Sequence, residues 1–224
     1  TLYGIIMDIE TARFNMIEQQ IRPWEVLDPQ VLQLLATVRR EDFVPPAMRA
    51  LAFVDTQVPL LPGQPDGPRM LEPRVEARLL QEAKLGPDEL VLEIGAGSGY
   101  MAALLARHAR HVVTVEIEPE LKALAEKNLK AYGVDNVTVE AGDGARGWTG
   151  HGKQSAPYDV IVLSGSLPVL PDAFLTQLRV GGRILAVLGD APAMSACRIT
   201  RTSQDAWDTE KMFETSITPL RNAG

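Results

Sequence analysis

Residues 90–106 join an apolar run, three glycines at alternate positions and a helix-forming stretch, an order that few folds accommodate. Val91-Leu92-Glu93-Ile94 reads as a buried strand, and Gly95-Ala96-Gly97-Ser98-Gly99 as a turn whose bare backbone lets a ligand come close. Met101-Ala102-Ala103-Leu104-Leu105-Ala106 then reads as helix, so the stretch opens a βαβ unit. The glycine spacing argues against a dinucleotide. The G-x-G-x-x-G fingerprint needs its third glycine at position 100, which is Tyr100; the glycine comes one residue early, at Gly99. A tight turn with no ligand is the alternative reading of these glycines alone.

The flanking sequence extends the pattern. Strands are expected at 90–94, 111–116, 136–140 and 158–164, with helices at 99–107 and 119–131 between the first three. Tyr158-Asp159-Val160-Ile161-Val162-Leu163 has the apolar run of a central parallel strand covered on both faces. A helix over 171–179, a turn at Gly181-Gly182 and a strand from Arg183 to Leu188 follow. Ala196 to Arg201 and Phe213 to Thr218 suit an antiparallel edge. Ahead of this core, Phe14, Ile17, Ile21, Val31, Leu34, Leu35 and Val38 fall at helical spacing, split by Pro23, with Asp28-Pro29 starting the second helix and Glu41 to Pro46 closing it. Pro62, Gly63, Pro65, Gly67 and Pro68 mark a loop, and Glu72-Pro73 opens a helix ended by Gly86-Pro87. The expected architecture is a doubly wound, mostly parallel α/β sheet in a single domain of residues 1–224. It comprises a helical and loop extension over 9–73 and a ligand-binding core over 74–224.

Composition narrows the setting. A chain of 224 residues buries about 70% of its unfolded surface without staples. Cys197 is the only cysteine and cannot pair within the chain, which points to a reducing, cytoplasmic environment. A net charge of −7 argues against a nucleic-acid surface, and no apolar run reaches the length of a membrane span. His108, His111 and His151 lack a metal-ligand pattern and are expected at the surface, so no metal is expected. Met7 stands where an initiator would, with residues 1–6 reading as an added segment.

Two acids join the glycine turn. Glu116 ends the second strand, 21 residues after Gly95, where a carboxylate accepts ribose hydroxyls; Asp143, in Ala141-Gly142-Asp143-Gly144, follows the third and can accept an adenine amino group. Three features at three successive strand ends are more specific than any one of them. From Arg13 to about Leu220 the chain resembles the protein-L-isoaspartate O-methyltransferase family. The resemblance is carried by Met16-Ile17-Glu18-Gln19-Gln20-Ile21-Arg22-Pro23, Arg40-Glu41-Asp42-Phe43-Val44-Pro45, Val91 to Tyr100, Val115-Glu116, Gly142-Asp143-Gly144 and Gly181-Gly182-Arg183. It implies a Rossmann-like fold binding S-adenosyl-L-methionine (SAM), with an atypical order at the last strands. It also implies methyl transfer to a carboxylate of isoaspartyl residues in damaged proteins, a repair reaction. The residues expected to hold SAM are Glu93, Gly95, Gly97, Gly99, Tyr100, Glu116, Ile117, Asp143 and Gly144.

One loop departs from the family. There, a Thr-Ile-Ser precedes the helix-starting proline segment, and the serine hydroxyl lies beside the reacting carboxylate. Aligned on Pro73, this chain has Leu71 at the serine and Arg69 at the threonine. Leu71 cannot donate a hydrogen bond, and Glu72 facing inward would repel an anion. Arg69 and Arg74 are candidates to hold a carboxylate, and Ser164, after the fourth strand, is a candidate lining residue. Another methyl acceptor, or a SAM-binding protein without turnover, therefore stands beside the isoaspartyl reading.

Overall fold

The computed structural model describes residues 2–64 and 66–224, with side chains from Asp8 onward. Thr1, Pro65 and the side chains of residues 2–7 lie outside the described residues. The chain divides into two compact units, Thr1–Gln81 and Glu82–Gly224.

In the first unit, helix α1 (Leu2–Met16) runs into a π turn (Ile17–Ile21) and a 3-10 turn (Arg22–Trp24) that takes Pro23 in its opening positions. Glu25, left-handed at φ 62°, ends this segment. Phe14, expected on a core face, is instead 62% exposed. Helix α2 (Pro29–Thr37) starts as its sequence predicts, with Asp28 Oδ1 accepting the Gln30 N–H at 2.8 Å and Pro29 at the first helical position. It ends earlier than expected, because Val38 turns extended, and Arg40–Asp42 form a separate 3-10 turn. The loop beyond contains a two-residue ribbon, Val58–Pro59 against Arg69–Met70. Helix α3 (Pro73–Ala83) stops before Gly86; Lys84 takes the left-handed turn itself, at φ 46°.

The second unit is built on a seven-stranded sheet. Its strands are β1 (Leu90–Ile94), β2 (His111–Glu116), β3 (Val137–Ala141), β4 (Tyr158–Leu163), β5 (Leu178–Asp190), β6 (Ala193–Ser203) and β7 (Ala206–Thr215). They lie in the order β7-β6-β5-β4-β1-β2-β3, parallel from β3 to β5 and antiparallel from β5 through β7. The α/β expectation and its antiparallel edge are both met. Every residue of β1 is buried, as a central strand requires. So is every residue of α4 (Tyr100–Ala106), whose small alanines allow close packing. Helix α5 (Pro119–Ala131) buries the stripe Leu121, Ala125 and Leu129, four residues apart.

Three details differ from the sequence reading. The last strand occupies Ala206–Thr215 rather than Phe213 to Thr218, because it pairs back on β6 directly after the turn at Ser203 and leaves 216–218 outside the ladder. Helix α6 spans only Asp172–Thr176, and β5 starts at Leu178, running through Gly181-Gly182 rather than after it. The register jumps from Tyr158↔Leu178 to Val160↔Arg183, so residues 179–182 bulge out of the ladder. Gly182 makes this possible: a Cβ there would lie 2.7 Å from the Asp159 carbonyl oxygen.

Sheet order reverses between β1 and β4. Open α/β sheets bind ligands in the crevice at that switch point, beyond the carboxyl ends of the strands. Gly95 follows β1 and Ser164 follows β4, so both stand at this position.

Candidate functional site

The glycine turn is tied into the sheet by its own backbone. The N–H groups of Gly95 and Ala96 both donate to the Val115 carbonyl, at 2.9 and 3.2 Å, and the Gly99 N–H donates to the Ala96 carbonyl at 2.8 Å. The Gly97 N–H donates to Glu116 Oε2 at 2.9 Å. Four donors of the turn are thus committed to protein acceptors. A pyrophosphate would need such groups free, so the arrangement suits a nucleoside ligand without phosphates. Gly95, Gly97 and Gly99 all have positive φ, 93°, 54° and 85°, and only glycine adopts such a succession without strain.

Glu116 is 94% buried by its neighbours, being 6% exposed at the end of β2. Its second oxygen, Oε1, accepts the Glu118 N–H at 3.0 Å, and two oxygens with two acceptor sites each leave capacity for ligand hydroxyls. Ile117 forms the half-buried bend beyond it. Glu93 is fully buried in β1. Its carboxylate accepts hydrogen bonds from Thr114 Oγ1 (2.7 Å) and Ser164 Oγ (2.9 Å), joining β1, β2 and the end of β4. Ser164 therefore orients Glu93. Tyr100 opens α4, 2% exposed.

At the end of β3, Asp143 is exposed, and its Oδ1 accepts the Ala145 N–H at 3.0 Å in a turn closed by its own side chain. Both flanking glycines are packing sites. A Cβ at Gly142 would meet the Trp148 ring at 2.3 Å, and one at Gly144 would meet Ile94 at 2.6 Å. These contacts pin the Gly142-Asp143-Gly144 turn against β1 and Trp148.

The sequence reading missed the segment after β7. The Ser166 N–H donates to the Thr218 carbonyl (3.1 Å) and the Leu220 N–H to the Ser166 carbonyl (2.9 Å), which lays the segment along the end of β4. The Leu220 side chain borders Gly95 and Gly165, Arg221 pairs with Glu118, and Asn222 Nδ2 donates to Asp143 Oδ2 at 2.8 Å. Residues 218–222 thus pass the ends of β4, β1, β2 and β3. Nothing in their composition marks them; only the acids they reach could have done so.

The histidines correct an expectation. His151 is exposed, but His111 and His108 are half-buried. His111 Nε2 meets Thr138 Oγ1 at 2.8 Å between β2 and β3, and burial, aided by Arg110, lowers its pKa. Cys197 is buried in β6, and burial pushes its thiol pKa up, as for an unreactive packing residue. Among the described residues, no group of three or more His, Cys, Asp and Glu could hold a metal ion. Likewise, no helix is long and apolar enough to cross a membrane.

The acceptor-loop candidates lie in the first unit, and Ser164 lies in the second. Arg69 is half-buried in the ribbon opposite Pro59. Leu71 is 5% exposed. Arg74 pairs with Asp55 at 3.2 Å and stacks 4.2 Å over the Trp24 ring, so its charge is already engaged. Gln57 Nε2 donates to Glu72 Oε1 at 3.2 Å, and Glu72 Oε2 is buried without a hydrogen-bond partner.

Comparison with known proteins decides among the nucleoside ligands. The family model for protein-L-isoaspartate(D-aspartate) O-methyltransferase matches residues 11–223. The chain belongs to that family. With it, the fold and its cofactor are those of the SAM-dependent methyltransferases. Protein-L-isoaspartate O-methyltransferase 1 of Rhodopseudomonas palustris is 41% identical over 209 residues, covering 93% of this chain and 82% of the relative. The Protochlamydia amoebophila enzyme is 36% identical, covering 92% and 94%. A similar fold is seen in the crystal structure of a Plasmodium falciparum protein assigned to the same activity and bound to S-adenosyl-L-homocysteine. Its TM-score is 0.74 at 17% identity, with 95% of this chain and 97% of that one covered.

Proposed function

We propose that this protein transfers the methyl group of SAM to the α-carboxylate of isoaspartyl residues in damaged proteins. The observation that carries the reading is the family match over residues 11–223, which takes in both the helical extension and the nucleoside-binding core. Bound SAM supplies an electrophilic methyl on a sulfonium. On this reading the bare backbone of the Gly95–Gly99 turn lies along its amino-acid end, with Glu93 tying β1 to β2 and the end of β4 beneath that turn; Glu116 and Ile117 meet its ribose, and Asp143 and Gly144 its adenine, with Tyr100 closing the base of the turn.

The acceptor chemistry asks little of the protein. A carboxylate with a pKa near 4 is already ionised at neutral pH, so no general base is needed. Alignment for in-line displacement and removal of water from the nucleophile supply the rate enhancement. The lone, buried Cys197 supports a reducing, cytoplasmic setting.

Leu71 favours a second reading. With no hydroxyl at this position and Glu72 beside it, the acceptor could instead be a group other than an isoaspartyl carboxylate, or turnover could be absent. Labelled methyl transfer to an isoaspartyl peptide beside its aspartyl twin separates these. Transfer to the isoaspartyl form alone is expected. Tight SAM binding by calorimetry with no transfer would leave the second reading, and SAM binding weaker than millimolar would overturn both.

A further inference from the structure

We propose that Arg40 is the positioning residue of the acceptor loop, fixing the peptide that carries Leu71 without touching substrate. The inference rests on the reading above, in which position 71 stands on the acceptor side of the reaction. Arg40 is 1% exposed and heads the fully buried side chains of the described residues. A buried guanidinium is not needed for stability, since apolar packing of similar volume serves as well or better. Its geometry indicates another role.

Three groups converge on one planar fork. Arg40 Nε donates to the Ala52 carbonyl at 2.9 Å, Nη2 to the Leu71 carbonyl at 2.6 Å, and Nη1 to Glu76 Oε2 at 2.7 Å. Ala52 and Leu71 stand at the two ends of the proline- and glycine-rich segment, and Glu76 lies in the first turn of α3. The fork therefore joins the start of the loop, its end and the helix that follows. The ribbon Val58–Pro59/Arg69–Met70 and the Leu60 N–H to Pro68 carbonyl bond (3.0 Å) form a second latch beyond it. Between these latches, the described residues of the loop form no other helix or strand.

The held carbonyl belongs to the residue that stands where the family has its acceptor-side serine. One peptide later, the Glu72 carbonyl receives the Glu76 N–H at 3.1 Å and the helix begins. Arg40 thus sets both the position and the direction of the chain at Leu71. Misplacing an aligning group by about 1 Å can cost roughly a hundredfold in rate. Lysine cannot substitute, because its donors radiate from one atom and do not span three acceptors in a plane.

The test uses the full chain with Arg40→Lys and Glu76→Gln, the latter keeping an acceptor for Nη1. Turnover of the isoaspartyl peptide is measured per SAM-binding site, so unfolded protein does not count, and hydrogen exchange is followed across 57–72 and 90–116. Arg40→Lys is expected to lower kcat per site at least tenfold, leave SAM affinity within twofold and accelerate exchange over 57–72 alone. Glu76→Gln is expected to shift both readouts in the same direction by less. Turnover per site within twofold of wild type, or acceleration spread evenly through residues 8–81, overturns the proposal. If wild type methylates neither peptide, the functional reading fails and the exchange pattern alone decides whether Arg40 holds the loop. Should Arg40→Lys not fold, Glu76→Gln decides by the same two readouts.

Discussion

Glu116 shows how one side chain can brace the fold and still keep acceptor capacity for a ligand. It anchors the glycine turn through the Gly97 N–H and the start of the next segment through the Glu118 N–H, with acceptor sites to spare. Replacing it with alanine should weaken SAM binding by about 1–3 kcal/mol, roughly 5- to 150-fold, read by calorimetry. Unchanged affinity would remove Glu116 from the cofactor site. A second prediction concerns Leu71, whose carbonyl is held by Arg40 while its side chain offers no donor. Leu71→Ser should raise isoaspartyl transfer by roughly tenfold or more, the worth of one hydrogen bond to a carboxylate, in the labelled-methyl assay. No gain would mean that position 71 does not meet the acceptor. The strand-end positions of Glu116 and Asp143 were legible because strand ends and glycine spacing are local signals. The engagement of Arg74 by Trp24 and Asp55, and of Ser164 by Glu93, was not, because those partners lie far away in sequence.

Elements followed the sequence most closely where one period dominated. Strands β1 and β2 and helix α5 have the expected bounds, since an apolar run and a four-residue stripe each admit one solution. Ends set by backbone geometry did not. Helix α3 stops at a left-handed Lys84 before the glycine expected to end it, and β5 absorbs Gly181-Gly182 as a bulge where a turn was expected. Two glycines allow the backbone and packing contributions to be separated. Gly99 caps α4 at φ 85°, and a Cβ there would lie 3.3 Å from both Cα and O of Ala125 on α5. Gly133 has φ 66° with nothing within 4 Å of the same position. Gly133→Ala should therefore cost about 1 kcal/mol from backbone conformation alone. Gly99→Ala should cost about 2–3 kcal/mol, because α4 and α5 must also separate. Urea unfolding measures both, and equal costs would show that α5 gives way without penalty.

At the scale of the whole molecule, stability against pH sums every group whose proton affinity changes on folding, so opposing signs must be separated. Burial, the largest influence, raises the Glu76 pKa from 4.5 to about 7; Glu72 adds to this, and Arg40 opposes it through charge and hydrogen bond. A raised carboxyl pKa means that the folded chain keeps a proton which the unfolded chain has released. Its contribution is fully present below about pH 4.5, falls as pH rises and is lost above about pH 7, a change on the order of 3 kcal/mol. His111 acts with the opposite sign: its lowered pKa favours the folded chain above the unfolded histidine pKa, and that advantage is lost as pH falls. A wild-type profile would therefore blend the two. Comparing wild type with Glu76→Gln isolates the first, because glutamine does not titrate and His111 is common to both. The stability difference from urea unfolding should move against wild type by on the order of 3 kcal/mol between pH 4.5 and 8. A difference independent of pH would mean that Arg40 offsets the effect of burial and leaves the Glu76 carboxyl with the same pKa in the folded and unfolded chain.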